Sequence, residues 1–178
     1  MPWNVEPLGR NSCKSIIPYV VRIPYSNLPH PVVMSLVNIR SSVVDAKRDG
    51  NHTEYAIRIQ THDDDIVVYR RYSAFVQLQK YVHRHLFEGQ CCGGKCLLES
   101  FLTNVFETEF PNANFLTKNS AKVVQERVYF LSDFLQLLQD ALAKCPPRII
   151  QRCEGEGCKV SKLLKSFLGI VSPNPAHV

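Results

Sequence analysis

The chain has 178 residues, a net charge of +5, and a composition that is 45% hydrophobic and 21% charged. That is ample apolar material for one folded domain with flanks, and too much for a disordered chain. No apolar run is long enough to span a bilayer, and residues 1–10 lack the features of a secretory signal.

A cytoplasmic protein that meets membranes only peripherally is therefore expected. The basic excess suits an anionic partner, whether a lipid headgroup, a membrane surface or a nucleic acid.

Residues 1–31 hold six of the eleven prolines and read as an extended or mobile leader. From Val32 to Lys47 β-branched residues dominate, and Asp49-Gly50-Asn51 closes the run with a hairpin signature. Residues 55–60 alternate apolar and polar as a half-buried strand does. His62-Asp63-Asp64-Asp65 forms a polar turn into a third strand, 66–71. Three such strands in succession predict an antiparallel meander.

The next predicted element is a helix capped by Ser73, with Phe75, Leu78, Val82 and Leu86 on one face. Glycines 89, 93 and 94 interrupt it, and Leu97, Leu98, Phe101, Leu102, Val105 and Phe106 mark a short second helix. Residues 110–119 are irregular. Ser120 opens the longest helix, whose stripe runs Val124, Val128, Leu131, Leu135, Leu138, Leu142 until Cys145-Pro146-Pro147 stops it. A basic amphipathic helix over 159–170 follows; it either lies on anionic lipid through Lys159, Lys162 and Lys165 or docks on the domain.

The fold class is thus α+β, a three-stranded meander against three to four helices. The expected division is a leader (1–31), a domain (32–145) and a C-terminal tail with the amphipathic helix (146–178).

The run Tyr69-Arg70-Arg71-Tyr72-Ser73-Ala74-Phe75 lies at the seam between the third strand and the first helix. An arginine fork grips phosphate oxygens in a bidentate way, a neighbouring ring packs on a flat ligand, and helix amides add donors. On local grounds the alternative is a pair of arginines that close a strand and stay solvated.

This run, together with the order of elements and the segment Val123-Val124-Gln125-Glu126-Arg127, resembles the phox-homology (PX) domain over residues 32–143. The resemblance implies a module that binds phosphatidylinositol 3-phosphate on endosomal membranes, without catalysis. Arg71 would hold the 3-phosphate, Tyr72 would pack on the inositol ring, and Arg127 would bond the inositol hydroxyls; Arg70 ranks lower because the family uses it structurally.

Where the family carries a lysine after a Phe-Pro step, this chain has Asn112-Ala113-Asn114, with Lys118 and Lys122 as the nearest substitutes. One lost charge-assisted contact costs about 1.5–3 kcal/mol, a tenfold to hundredfold fall in affinity. The competing reading is therefore a protein-interaction scaffold of the same fold with weak or lost lipid binding.

Of seven cysteines, Cys92 and Cys96 with Cys153 and Cys158 could supply four thiolates to zinc, although separate reduced thiols are preferred and no cofactor is assigned. Asp63-Asp64-Asp65 reads as a solvated turn, no nucleophile-and-base arrangement or phosphate loop occurs, and aromatics interleaved for nucleic acid are missing. Leu97, Leu98, Phe101 and Leu102, or Phe115-Leu116, are read as core in preference to membrane-dipping residues.

Overall fold

The computed structural model describes residues 35–61, 65–88, 91, 94–108, 110–111 and 120–170. The leader lies outside them. The strands β1 (Arg40–Asp49), β2 (His52–Gln60) and β3 (Asp65–Arg71) form one antiparallel sheet in the order β1-β2-β3. Gly50, at φ 54°, takes the first place of the two-residue turn between Asp49 and His52, where a residue without Cβ sits unstrained.

β1 begins at Arg40, later than the composition of residues 32–47 predicts. Asn38 adopts φ 59° just before it and turns the chain, burying Leu36 and Ile39. A bulge at Val44 then shifts the β1–β2 register between Val43 and Asp45 and leaves Val44 exposed.

Tyr55, Ile57 and Ile59 of β2 and Val68 of β3 are buried under the helices. α1 (Tyr72–Phe87) buries Phe75, Leu78, Val82 and Leu86, the predicted stripe. α2 (Glu99–Glu107) buries Leu102, Val105 and Phe106.

α3 (Ala121–Lys144) is the longest helix. Its cap is Ser120, whose Oγ accepts from the Val123 amide at 3.3 Å, and Leu131, Phe134, Leu135, Leu138, Ala141 and Leu142 are buried along it. Gln139 fixes α3 to the sheet edge: its side chain accepts from the Ser41 amide at 2.9 Å and donates to the Ser41 carbonyl at 2.7 Å. That pairing satisfies backbone groups that an edge strand otherwise leaves open.

Two features correct the sequence reading. The α1 cap position belongs to Arg71, not Ser73; β3 runs straight into the helix, and no side chain caps it. The segment from residue 146 is also no tail through residue 170. Pro146-Pro147 ends α3 and starts a helix not foreseen, α4 (Pro147–Gly155), because a proline at the first helical turn forfeits no hydrogen bond.

α4 and α5 (Lys159–Phe167) bring Ile150, Cys153, Val160, Leu164 and Phe167 into the same core as the sheet. Of the two placements open to the basic helix, α5 docks on the domain; Lys165 is buried, with its Nζ 3.5 Å from Glu154. The Glu154 carboxylate also accepts from the Ser35 hydroxyl and the Leu36 amide, both at 2.8 Å, so one part-buried acid ties residues 35 and 36 to both last helices.

α4 and α5 end alike. In each a glycine at positive φ (Gly157, 71°; Gly169, 70°) turns the chain so that the following amide bonds back five residues, Cys158 to Cys153 and Ile170 to Lys165. No described helix is long and apolar enough to cross a membrane.

Candidate functional site

The two arginines of the Tyr69-to-Phe75 run part company because β3 alternates. Arg70 follows Val68 onto the buried face, and Arg71 points outward. Arg70 is 2% exposed, and its guanidinium donates to the carbonyls of Phe167 (2.7 Å), Ser166 (3.1 Å) and Tyr69 (2.9 Å). Two of these are terminal carbonyls of α5, the negative end of the helix dipole.

Arg70 also lies 5.7 Å from the centroid of the Phe167 ring. Burial pulls its pKa down to about 10, which leaves it charged at neutral pH. Burial takes Arg70 out of reach of a headgroup: two of its donors hold the end of α5 to the sheet and a third bonds the Tyr69 carbonyl of its own strand.

Arg71 is free of that duty. Its side chain is 55% exposed at the head of α1, with Nε 3.9 Å from the Glu54 carboxylate, its register partner on β2. Next to it, the Tyr72 ring lies under the Arg127 guanidinium at 4.1 Å. The Tyr72 hydroxyl donates to the Pro111 carbonyl at 2.6 Å, and Phe110 meets the ring edge-on at 6.0 Å.

Phe110 in turn packs on Phe130 and Phe134 of α3, so the ring stack rests on the core. Sequence reasoning missed this buttress and the buried Tyr55 behind it. Burial raises the pKa of both Tyr55 and Tyr72, and the positive charge of Arg127 works against that rise. Arg127 faces the Tyr55 hydroxyl as well as the Tyr72 ring, so one guanidinium serves both tyrosines.

The structure thus joins Tyr72 to Arg127 across β3–α1 and α3, with Arg71 one residue away. Lys122, at the first turn of α3, is highly exposed and 4.0 Å from Glu126. Lys118 and Asn112-Ala113-Asn114 lie outside the described residues, as does Phe115-Leu116. Of the other apolar candidates, Leu98 and Leu102 are buried and Leu97 is exposed.

A groove of about 790 Å³ runs beside the stack, lined by Val76, Gln79, Lys80, His83, Arg84 and Phe110 among others. It shares only Phe110 with the stack, and Arg71, Tyr72 and Arg127 do not line it. The site is defined by its side-chain chemistry, not by that groove.

The thiols also assemble. The Cys158 Sγ lies 3.2 Å from that of Cys91 and 3.7 Å from that of Cys96, and all three residues are buried. Cys91 joins Cys96 and Cys158 in this cluster, and Cys92 lies outside the described residues. Cys153 is buried as well, and burial together with the neighbouring thiols pushes its pKa up to about 12.

No family model matches the chain, and no curated protein matches it either.

Proposed function

We propose that the chain is a phosphoinositide-binding module of the phox-homology type, which recognises phosphatidylinositol 3-phosphate and brings its carrier to endosomal membranes. One observation carries this reading: the Arg127 guanidinium is stacked on Tyr72 beside the exposed Arg71. Stacking leaves a guanidinium's N–H donors in the plane of the fork, where they meet hydroxyl and phosphate oxygens. Arg71 would take the 3-phosphate in a bidentate grip, helped by the amides at the head of α1, which has no acidic residue in its first turn. Arg127, fixed by the ring, would bond the inositol hydroxyls, and Tyr72 would pack against the sugar. No step of this kind makes or breaks a covalent bond, so no catalysis is proposed.

Co-sedimentation with liposomes tests the reading. The wild-type chain is expected to pellet with vesicles containing phosphatidylinositol 3-phosphate far more than with neutral ones, and Arg71→Ala to lose that difference. Equal pelleting of the wild type with both would overturn the lipid reading and favour a protein-binding scaffold of the same fold.

Glu54 supplies a second check. Its carboxylate sits beside Arg71 and competes with an incoming phosphate. Half-exposed pairs of this kind are worth up to about 1 kcal/mol, so Glu54→Gln is expected to tighten binding by at most about fivefold. Weaker binding in that variant would place Arg71 outside the phosphate contact.

A further inference from the structure

The thiols of Cys91, Cys96 and Cys158 come from distant parts of the chain, the α1–α2 connection and the head of α5. Their sulfur atoms all lie within 4.8 Å of one another. A disulfide needs a sulfur separation of about 2.05 Å. Four thiolates around zinc at about 2.3 Å stand about 3.8 Å apart. The observed 3.2 and 3.7 Å are too long for the first arrangement; the longer is close to the second and the shorter lies below it.

The backbone around these sulfurs is shaped for the same end. The two arms have the same spacing, Cys91-x4-Cys96 and Cys153-x4-Cys158, and each turns through glycine. In the first arm the Cys91 amide bonds the Gly94 carbonyl at 3.3 Å. In the second, Gly157 at φ 71° closes a helix-ending turn in which the Cys158 amide bonds the Cys153 carbonyl at 2.9 Å. That turn folds Cys153 and Cys158 back toward each other.

Cys158 stands at the cap position of α5, the positive end of that helix dipole. The Lys162 ammonium lies over the Gly157 turn, 3.1 Å from where a Cβ on Gly157 would sit. Four thiolates and one Zn²⁺ carry a net charge of −2, which the head of α5 at Cys158 offsets in part.

We propose that Cys91, Cys96, Cys153 and Cys158 hold a structural zinc ion that clips the α1–α2 connection to the α4–α5 turn. On binding, the four thiols release their protons to solvent and the metal takes four sulfur ligands. All four positions are then filled by protein, so the site is closed and structural rather than catalytic. This inference does not depend on the lipid reading: the cluster lies apart from Arg71, Tyr72 and Arg127.

The test is metal analysis of the full-length chain, purified under reducing conditions without chelator. About one zinc per chain is expected, and replacement by Co²⁺ should give the intense visible absorption of tetrahedral cobalt bound to thiolates. Cys158→Ser and Cys91→Ser should each abolish that absorption, whereas Cys92→Ser should keep it.

Because such variants could unfold, the wild type provides an independent readout. Zn²⁺ should protect four thiols from alkylation, and a chelator should expose them. A wild-type chain that takes up neither metal, with thiols equally reactive with and without Zn²⁺, would overturn the proposal. So would a mass two hydrogens below the reduced chain under these conditions, which would indicate a disulfide. Loss of cobalt absorption in Cys92→Ser but not in Cys91→Ser would overturn the ligand assignment.

Discussion

Arg70→Ala is expected to destabilise the fold by about 3–5 kcal/mol, whereas Arg71→Ala, one residue away, should shift stability by no more than about 0.5 kcal/mol. The contrast follows from burial and partners. Removing the Arg70 guanidinium takes the side-chain donor from the Phe167 carbonyl, leaves the Ser166 carbonyl only its backbone donor from Gly169, and opens a void between β3 and α5.

The loss cannot be repaired locally. α5 ends against the sheet at Gly169, where an added Cβ would stand 2.6 Å from the Val68 side chain, so the helix end is already in close contact and has a fixed approach. Arg70→Lys should recover only part of the loss, because one ammonium does not reproduce a planar fork reaching three carbonyls. Urea denaturation of the four proteins provides the measurement. An Arg70→Ala midpoint equal to that of the wild type would show that α5 is held by its apolar face alone.

The same pair shows how far the sequence carries. Period-two alternation puts Arg70 on the face of Val68 and Arg71 on the opposite one, so their division of labour could be read from β3 by itself. What Arg70 grips could not: the α5 carbonyls lie 96 and 97 residues away, and no local pattern announces them. The long stripe of α3 and its Ser120 cap are equally local signals, and both appear in the structure.

Signals that depend on a turn fared worse. Ser73 has the right chemistry for a cap, but the strand leads into the helix without an intervening loop, which makes Arg71 the boundary residue. Cys91 and Cys92 are adjacent and chemically identical. Cys91 is buried against the Cys158 thiol, a contact across 67 residues that no local spacing announces, and Cys92 lies outside the described residues. Lys165 followed a basic helical pattern, yet its partner Glu154 comes from α4, a helix that consecutive prolines concealed.

The largest expected effect on binding is that of Arg127→Ala, a tenfold to hundredfold loss of affinity for phosphatidylinositol 3-phosphate. It would remove charge-assisted hydrogen bonds worth about 1.5–3 kcal/mol in a site with few other cations among the described residues. The position of Arg127 depends on Tyr72, over whose ring it lies at 4.1 Å, and Tyr72 is held in turn by its bond to Pro111 and the edge of Phe110. Removing the ring should therefore remove much of what Arg127 contributes.

In a double-mutant cycle, Tyr72→Ala and Arg127→Ala should be less than additive, with a coupling of about 0.5–2 kcal/mol. Arg127→Lys keeps the charge but neither the flat stack nor the fork, and should bind closer to Arg127→Ala than to the wild type. Titration of each variant with a short-chain phosphatidylinositol 3-phosphate, checked against its unfolding midpoint, separates binding from stability. Additive losses, or an Arg127→Lys chain that binds like the wild type, would reduce Arg127 to a point charge and remove the stack from the recognition of the headgroup.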